Sequence, residues 1–144
     1  MTMAELLVRT DVAVLHRRRV PGCPARIDHL AIGTGGLTVI GAEPVRGRDP
    51  IELRTLVTTV ERHVDLVRAC LEQWAAGDVD VRGCLCPVDL AGARHPFTGL
   101  RVRGVPLLDA AGASRLAARP GGLSPARVAR LVALFAAALP AVPR

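Results

Sequence analysis

Two apolar segments joined by a glycine-rich turn constrain the fold of this chain more than any other feature. Residues 27–32 and 37–42 are almost wholly apolar, and Gly33-Thr34-Gly35-Gly36 lies between them. Glycine supplies the positive φ that tight hairpins need, so the sequence predicts two paired strands. The second segment is apolar on both faces, which predicts a strand buried on both sides. The glycine spacing does not fit a phosphate-binding loop, because a strand rather than a helix is predicted to follow it.

One long amphipathic helix is predicted after this strand pair. Asp49 suits an N-cap, Pro50 suits the first helical position, and Glu52 completes a capping-box pattern. Apolar residues then recur at spacings of three and four, which predicts packing against a sheet rather than a coiled coil. The stripe comprises Leu53, Val57, Val60, Val64, Val67, Leu71 and Trp74. Gly77 is expected to end the helix.

Short strands and helices make up the rest of the chain. The predicted elements are helical turns within 3–9, strands within 12–16, 78–87 and 100–108, and helices within 109–119 and 124–139. Asp109 can cap the first of these two helices, and Ser124-Pro125 is expected to start the second. Gly104 and Pro106 interrupt the last strand, which favours an edge strand or a short pair. The order β–β–β–α–β–β–α–α predicts an α/β protein with a mixed sheet flanked by helices. Residues 1–144 are expected to form one domain, with a core at about 12–90 and a C-terminal helical part at about 109–139.

Arginine supplies all of the basic charge. The 19 basic residues are all arginine, and with 13 acidic residues they give a formal charge of +6. Arginine pairs with phosphate through two parallel hydrogen bonds, so this excess suits a polyanionic partner such as nucleic acid. A coding bias toward Ala, Arg, Gly, Pro and Val is the other explanation. The absence of lysine excludes chemistry that depends on a side-chain ammonium group.

The sequence has no hallmark of secretion or of a membrane span. No apolar run approaches the roughly 20 residues that a spanning helix needs. The first residues lack the basic segment and apolar run of a secretory signal, so a cytoplasmic location and no membrane partner are expected. The four cysteines, Cys23, Cys70, Cys84 and Cys86, are then expected to be reduced thiols that pack as small hydrophobic groups. A zinc site at Cys84 and Cys86 would need further ligands, and no metal-binding spacing supplies them.

One ordered block of the sequence resembles the nuclease-related domain (NERD) family. It comprises Val14-Leu15-His16-Arg17-Arg18-Arg19-Val20-Pro21-Gly22, Ile27-Asp28-His29-Leu30, the glycine turn with Leu37-x-Val39-Ile40, and Arg46-Gly47. Residues 56–71 and 81–86 resemble the family's long helix and the strand after it. The resemblance covers most of residues 12–90 and, more loosely, the C-terminal helices.

The resemblance implies a restriction-endonuclease-like fold, with a three-layer core and a PD-(D/E)xK-type site that cleaves nucleic acid. In that chemistry, acids on neighbouring strands hold Mg²⁺ or Mn²⁺, which polarises the phosphodiester and activates water, while a lysine stabilises developing charge. Asp28 stands at the position of the first metal-binding acid. The acid-x-Lys stretch falls on Gly41-Ala42-Glu43, so glycine replaces the second acid and glutamate replaces the lysine. His63 stands at the position of a polar residue on the long helix.

These departures predict impaired catalysis. Loss of the second carboxylate halves the negative charge available to a metal, and Glu43 brings negative charge where an anionic transition state needs a cation. Glu43 is nevertheless a candidate displaced ligand, because positions 41 and 43 share one face of a strand. In an active site of this kind, Asp28 and Glu43 are the catalytic residues, Asp28 is the metal ligand, and Mg²⁺ or Mn²⁺ is the cofactor.

The arginines around this motif are candidate nucleic-acid contacts. They are Arg17, Arg18, Arg19, Arg26, Arg46 and Arg48. For residues 17–19 the alternative is a solvated turn after the first strand. For Asp28 the alternative is a strand-edge carboxylate that accepts hydrogen bonds from loop amides, and for His29, His63 and His95 it is an ordinary surface or half-buried position.

Three functions are consistent with the sequence. The first is a NERD-like domain that binds nucleic acid without cleaving it, and the departures at Gly41 and Glu43 favour this function. The second is an active metal-dependent nuclease with a rearranged site at Asp28 and Glu43. The third is a non-catalytic interaction module, whose hydrophobic helices bind a protein partner or form a homodimer.

Overall fold

The computed structural model describes residues 12–24, 26–45, 50–87 and 95–143. Its strands are β1 (Ala13–Arg19), β2 (Arg26–Gly33), β3 (Gly36–Gly41), β4 (Val81–Leu85), β5 (Arg101–Val102) and β6 (Val105–Pro106). Its helices are α1 (Pro50–Gln73), α2 (Ala110–Ala117) and α3 (Pro125–Ala138). Three sequence predictions lie outside these residues: the helical turns within 3–9, the cap at Asp49, and the candidate contacts Arg46 and Arg48.

Four strands form one mixed sheet in the order β1–β2–β3–β4. β1, β2 and β3 are antiparallel neighbours, whereas β4 is parallel to β3. A parallel neighbour requires a crossover, and α1 supplies it between β3 and β4. β5 and β6 form a separate antiparallel pair, which is the short pair expected around Gly104 and Pro106. The predicted α/β class, with a mixed sheet and flanking helices, is confirmed.

The glycine turn joins β2 and β3 as predicted. Gly33 pairs with Gly36, and the two residues between them form the turn. Gly36 has a φ of 116°, and a side chain there would run into the backbone carbonyl of Asp80, so only glycine fits. Every residue of β3 from Gly36 to Ile40 is buried, which confirms a strand covered on both faces.

Helix α1 buries the predicted stripe from Leu53 to Leu71 but ends before the predicted position, so Trp74 lies after the helix and is only partly buried. Its buried residues are Leu53, Val57, Val60, His63, Val64, Val67 and Leu71. The prediction that Gly77 ends the helix is wrong. Ala75 takes the left-handed conformation, with a φ of 58°, and the N–H groups of Ala75 and Ala76 donate to carbonyl groups of the last turn. This is a Schellman-type end in which alanine occupies the position that glycine usually takes.

The two shorter helices begin at their predicted caps. Asp109 Oδ1 accepts a hydrogen bond from the Gly112 N–H at 2.7 Å, and Ser124 Oγ accepts one from the Arg127 N–H at 3.1 Å. Each cap satisfies a backbone donor that the first helical turn would otherwise leave unpaired. None of the helices that the structure describes is long and apolar enough to cross a membrane.

Helices cover both faces of the sheet. On one face, α1 and α3 contribute to a large apolar cluster that includes Leu30, Val39 and Phe135. On the other face, α2 packs on a smaller cluster of Ala31, Ile40, Cys84, Cys86, Ala113 and Ala117. Because side chains alternate along a strand, Asp28 shares the face of Leu30 and is directed toward α1.

β1 extends beyond its predicted end at His16. Arg18 and Arg19 continue the ladder with β2, whereas Arg17 takes a left-handed conformation with a φ of 51°. The segment after α3 pairs with their other side, since the Arg19 N–H donates to the Pro140 carbonyl at 2.8 Å. The Val142 N–H likewise donates to the carbonyl of residue 17 at 2.8 Å. The solvated-turn prediction for these residues is therefore wrong, because they belong to β1 and exchange backbone hydrogen bonds with the chain after α3.

The cysteines are free thiols, as expected. Cys84 and Cys86 are buried, and burial raises the pKa of Cys84 to about 12 and that of Cys86 to about 11. Both side chains therefore stay protonated at neutral pH. They pack in the smaller apolar cluster, which is the hydrophobic role predicted for them.

Candidate functional site

The residues that the motif singles out converge on a cleft beside α1. The cleft has a volume of about 440 Å³ and lies between α1 and the C-terminal end of β3. Asp28 enters it from β2, Glu43 from the segment after β3, and His63 from α1. Arg26 and Gly41 also line it. The fold thus brings both candidate carboxylates to one cavity.

We call this cavity the Asp28 cleft, after its central residue. Other groups of the chain hold the Asp28 carboxylate in place. Its Oδ2 accepts a hydrogen bond from the backbone N–H of Ala42 at 3.0 Å. Its Oδ1 lies 3.7 Å from Nε of Arg26, and only 14% of the Asp28 side chain is exposed. The bond to a backbone amide matches the structural alternative that the sequence suggested for this residue.

Glu43 lies within electrostatic reach of Asp28. Burial raises the pKa of the Glu43 carboxyl above its ordinary value, and the negative charge of Asp28 raises it further, whereas Arg26 acts in the opposite direction. The two carboxylates therefore interact, with one guanidinium acting on both.

Apolar side chains pack against Gly41, the position at which the NERD resemblance predicts an acid. A Cβ placed on Gly41 would lie 2.9 Å from Cγ2 of Val60 and 3.2 Å from Cδ1 of Leu85. Both distances are shorter than ordinary van der Waals contact. An acid at position 41 would have to displace Val60, so the substitution is coupled to the packing of α1 on the sheet.

The donors of the Asp28 cleft do not fit a divalent metal ion. Mg²⁺ is usually held by one or two carboxylates together with substrate phosphates, in near-octahedral geometry. Asp28 already accepts from Ala42 and lies beside Arg26, whose positive charge opposes a cation. Within the part of the chain that the structure describes, no three His, Cys, Asp or Glu side chains are grouped to hold a metal. The cleft is an ion-paired carboxylate site.

The candidate histidines lie in three different environments. His63 is buried and lines the Asp28 cleft. His29 lies on the opposite face of β2, where its Nδ1 is 2.8 Å from Nδ1 of His16. Burial lowers the pKa of His29, and the charge of His16 lowers it further. His95 is buried, and its Nδ1 accepts a hydrogen bond from the Phe97 N–H at 3.2 Å.

No protein-family model matches this chain, and no curated protein matches it. The likeness to the NERD family therefore stays a prediction that rests on the motif block.

Among the predicted nucleic-acid contacts that the structure describes, Arg19 and Arg26 are cross-strand partners at the end of the β1–β2 ladder. Arg26 lines the Asp28 cleft. Arg18 donates from Nη1 to the carbonyl of Leu139 at 3.2 Å, so it fastens the end of α3 to β1. Arg17 is half-buried, and Arg19 is exposed at the end of β1.

A second group of arginines, which the sequence did not single out, meets at the edge of the sheet. Arg68, Arg82, Arg101, Arg103 and Arg119 line a groove of about 480 Å³ across β4, called here the β4 groove. They come from α1, β4, the β5–β6 pair and the chain just after α2. No local motif marks them, because only the fold brings them together. The arginine excess was the one available signal, and it carries no positional information.

Proposed function

We propose that this protein is a nucleic-acid-binding domain of the nuclease-related type, with a restriction-endonuclease-like core whose cleavage site is lost. The motif block supports this function, as does a mixed sheet covered by helices on both faces. The location of Asp28 supports it too, since the residue lies on β2 beside the end of β3, on neighbouring strands as the motif requires.

The packing at position 41 is the main observation in support of a lost cleavage activity. PD-(D/E)xK chemistry needs an acid there, facing the acid of the neighbouring strand. Val60 and Leu85 occupy the space that such a side chain would enter. Asp28, the acid that remains, is engaged by Ala42 and Arg26.

Positive charge supports binding to nucleic acid. The chain carries a formal charge of +6, and all of its cations are guanidinium groups, which match the geometry of phosphate oxygens. Each phosphate contact releases counterions, so binding of this kind weakens steeply as salt rises.

Fluorescence anisotropy with short labelled DNA and RNA tests this function. The expected result is an affinity that falls linearly with salt on logarithmic axes, while the labelled strand stays intact in the presence of Mg²⁺ or Mn²⁺. Absent binding, or binding that salt does not weaken, contradicts the proposal.

A metal-dependent nuclease using Asp28 and Glu43 is the second candidate. The observation in its favour is that Asp28 and Glu43 line one cleft, where the charge of Asp28 raises the pKa of Glu43. This function demands plasmid nicking with Mn²⁺ that Asp28→Asn abolishes. Asparagine is the informative substitution, because its side-chain oxygen can still accept the hydrogen bond from Ala42. Purified protein that does not nick the plasmid rules this function out.

No specific observation favours the third function, a protein-interaction module. The large hydrophobic residues that are exposed in the described ranges are Ile51 and Leu100. Scattered exposed apolar side chains are normal on a protein surface and do not define a docking patch.

A further inference from the structure

We infer that the phosphate backbone of a nucleic acid binds in the β4 groove rather than at the Asp28 cleft. The inference rests on the proposed function and assigns a surface to it. β4 is the last strand of the sheet, and the groove lies across its first residues. The end of β4 is covered instead, since Leu85 pairs with Leu107. α1 borders the groove on one side, and Leu116 and Arg119 border it on the other.

The groove carries more positive than negative charge. Five arginines and three acids line it. Each acid lies near one arginine: Glu61 is 2.9 Å from Arg103, Asp80 is 3.5 Å from Arg82, and Asp65 is 3.9 Å from Arg68. Arg101 and Arg119 have no carboxylate partner among the residues that the structure describes. These two guanidinium groups are the ones available to an added oxyanion.

Arg82 forms a fixed part of the groove. Its Nε donates to Thr38 Oγ1 at 3.1 Å, and its Nη2 donates to the Gly35 carbonyl at 2.8 Å. Only 16% of its side chain is exposed. Because these bonds reach two elements of the sheet, Arg82 contributes charge without having to be ordered on binding.

The glycine turn positions Arg119 at the rim. A side chain on Gly35 would run into the backbone carbonyl of Arg119, so glycine lets the chain after α2 approach the turn closely. That approach is fixed by the Gly121 N–H, which lies 3.3 Å from Thr34 Oγ1, and by the Leu123 N–H, which donates to the Thr34 carbonyl at 3.0 Å. The turn therefore has a second role beyond joining β2 and β3.

The β5–β6 pair carries Arg101 to the opposite rim. Its turn is formed by Arg103 and Gly104, with φ values of 49° and 82°. Arg103 fastens this turn to α1 by donating from Nη2 to Thr58 Oγ1 and by pairing with Glu61. Arg101 is left exposed, with Nη1 donating to the Gly104 carbonyl at 3.2 Å.

The lining of the groove indicates what part of the nucleic acid it contacts. None of its described lining residues is aromatic, so the groove offers no aromatic side chain for base stacking. Arginine contacts to phosphates position a nucleic acid but do not read its sequence. Binding is therefore expected to depend strongly on salt and weakly on sequence.

The double variant Arg101→Gln/Arg119→Gln tests the groove. Both side chains are exposed and lack a carboxylate partner in the described ranges, so the variant should fold as the wild type does. Anisotropy with labelled DNA should show about 10-fold to 100-fold weaker binding at about 0.1 M salt. The slope of log affinity against log salt should become less steep, by about 1.8 for duplex DNA and about 1.4 for single strands.

Arg62→Gln/Arg130→Gln is the matched control, because both arginines are exposed and neither lines the groove. It removes the same charge and should keep the wild-type slope. Unchanged binding by the groove variant, or an equal loss in both variants, overturns the groove assignment and leaves the proposed function standing. Wild-type protein that does not bind contradicts the proposed function and this inference with it. Displacement of the DNA by polyglutamate as readily as by polyphosphate would identify an acidic peptide as the occupant and overturn the assignment.

Discussion

Asp28 connects three parts of the polypeptide with one carboxylate. It accepts from the backbone of Ala42 just after β3, lies beside Arg26 on its own strand, and acts on the charge of Glu43. A partly exposed ion pair adds little stability, so the main effect of these contacts is to fix where the chain leaves β3. Conservative changes at these residues therefore test the electrostatics of the cleft directly.

The substitution Asp28→Asn should lower the pKa of Glu43. Folding raises the pKa of Glu43 above 4.5, so the folded state holds this proton more tightly, and the residue adds stability as the pH falls through its folded pKa. This stabilisation is fully present below pH 4.5. It is smaller in the variant, because the negative charge of Asp28, one of the two causes that raise the pKa of Glu43, is absent. An NMR titration of the Glu43 side-chain carboxyl carbon measures the shift. An unchanged pKa in the variant would show that the two carboxylates do not interact.

Restoring an acid at position 41 tests whether packing closed the site. Gly41→Asp alone should destabilise the protein by about 1–3 kcal/mol, because Val60 and Leu85 fill the space it needs. Combined with Val60→Ala, which makes room, the same acid should increase the affinity for Mn²⁺, measured by isothermal titration calorimetry. Val60→Ala alone is the control. Equal Mn²⁺ affinity in the wild type and the double variant contradicts this explanation.

At the scale of elements, α1 approaches the sheet over two glycines. Gly41 lies on β3 and Gly83 on β4, and Val60 packs against both positions. A Cβ on Gly83 would lie 2.7 Å from Cγ1 of Val60 and 2.8 Å from Cγ2 of Val64. α1 thus packs closer to the sheet than a larger residue at either position would allow.

Gly83→Ala should therefore destabilise the protein by about 1–3 kcal/mol through overpacking, measured by urea unfolding. Val60→Ala in the same chain should recover part of this loss, so the two free-energy changes should not add. Gly77→Ala is a suitable control, because a Cβ there would make only an ordinary contact at 3.5 Å. Strict additivity of Gly83→Ala and Val60→Ala would mean that the helix does not rest on this glycine.

The elements that the sequence predicted well are those specified locally. The stripe of α1, the caps at Asp109 and Ser124 and the β2–β3 turn each depend on residues within a few positions of one another. The approach of Asp28 to the end of β3 likewise follows from local pairing, because β2 and β3 form one hairpin.

The elements that were missed depend on contacts between distant segments. Residues 17–19 extend β1 because the chain after α3 pairs with them, which their own composition does not indicate. Ala75 ends α1 although alanine seldom takes a left-handed conformation. Val60 packs against Gly41 only because α1 crosses over β3, so the sequence indicated a glycine where the resemblance predicts an acid, but not the side chain that fills the space.

At the scale of the whole molecule, α1 borders both cavities. Leu56 and His63 line the Asp28 cleft, and Glu61 and Arg68 line the β4 groove. The motif residues Asp28 and Glu43 and the five arginines of the β4 groove thus line different cavities. Binding of nucleic acid should consequently survive Asp28→Asn and Glu43→Gln, which alter the cleft and leave the groove intact, with affinities measured by anisotropy close to that of the wild type. A large loss of affinity in either variant would assign binding to the cleft.

One measurement tests binding without cleavage most directly. A labelled duplex is titrated to saturation with the protein at low salt, and the same sample is incubated with Mn²⁺ and resolved on a denaturing gel. The predicted result is saturable binding that rising salt reverses, together with a strand of unchanged length. Shortened strands that disappear in the Asp28→Asn variant, or a duplex that never binds, would contradict it.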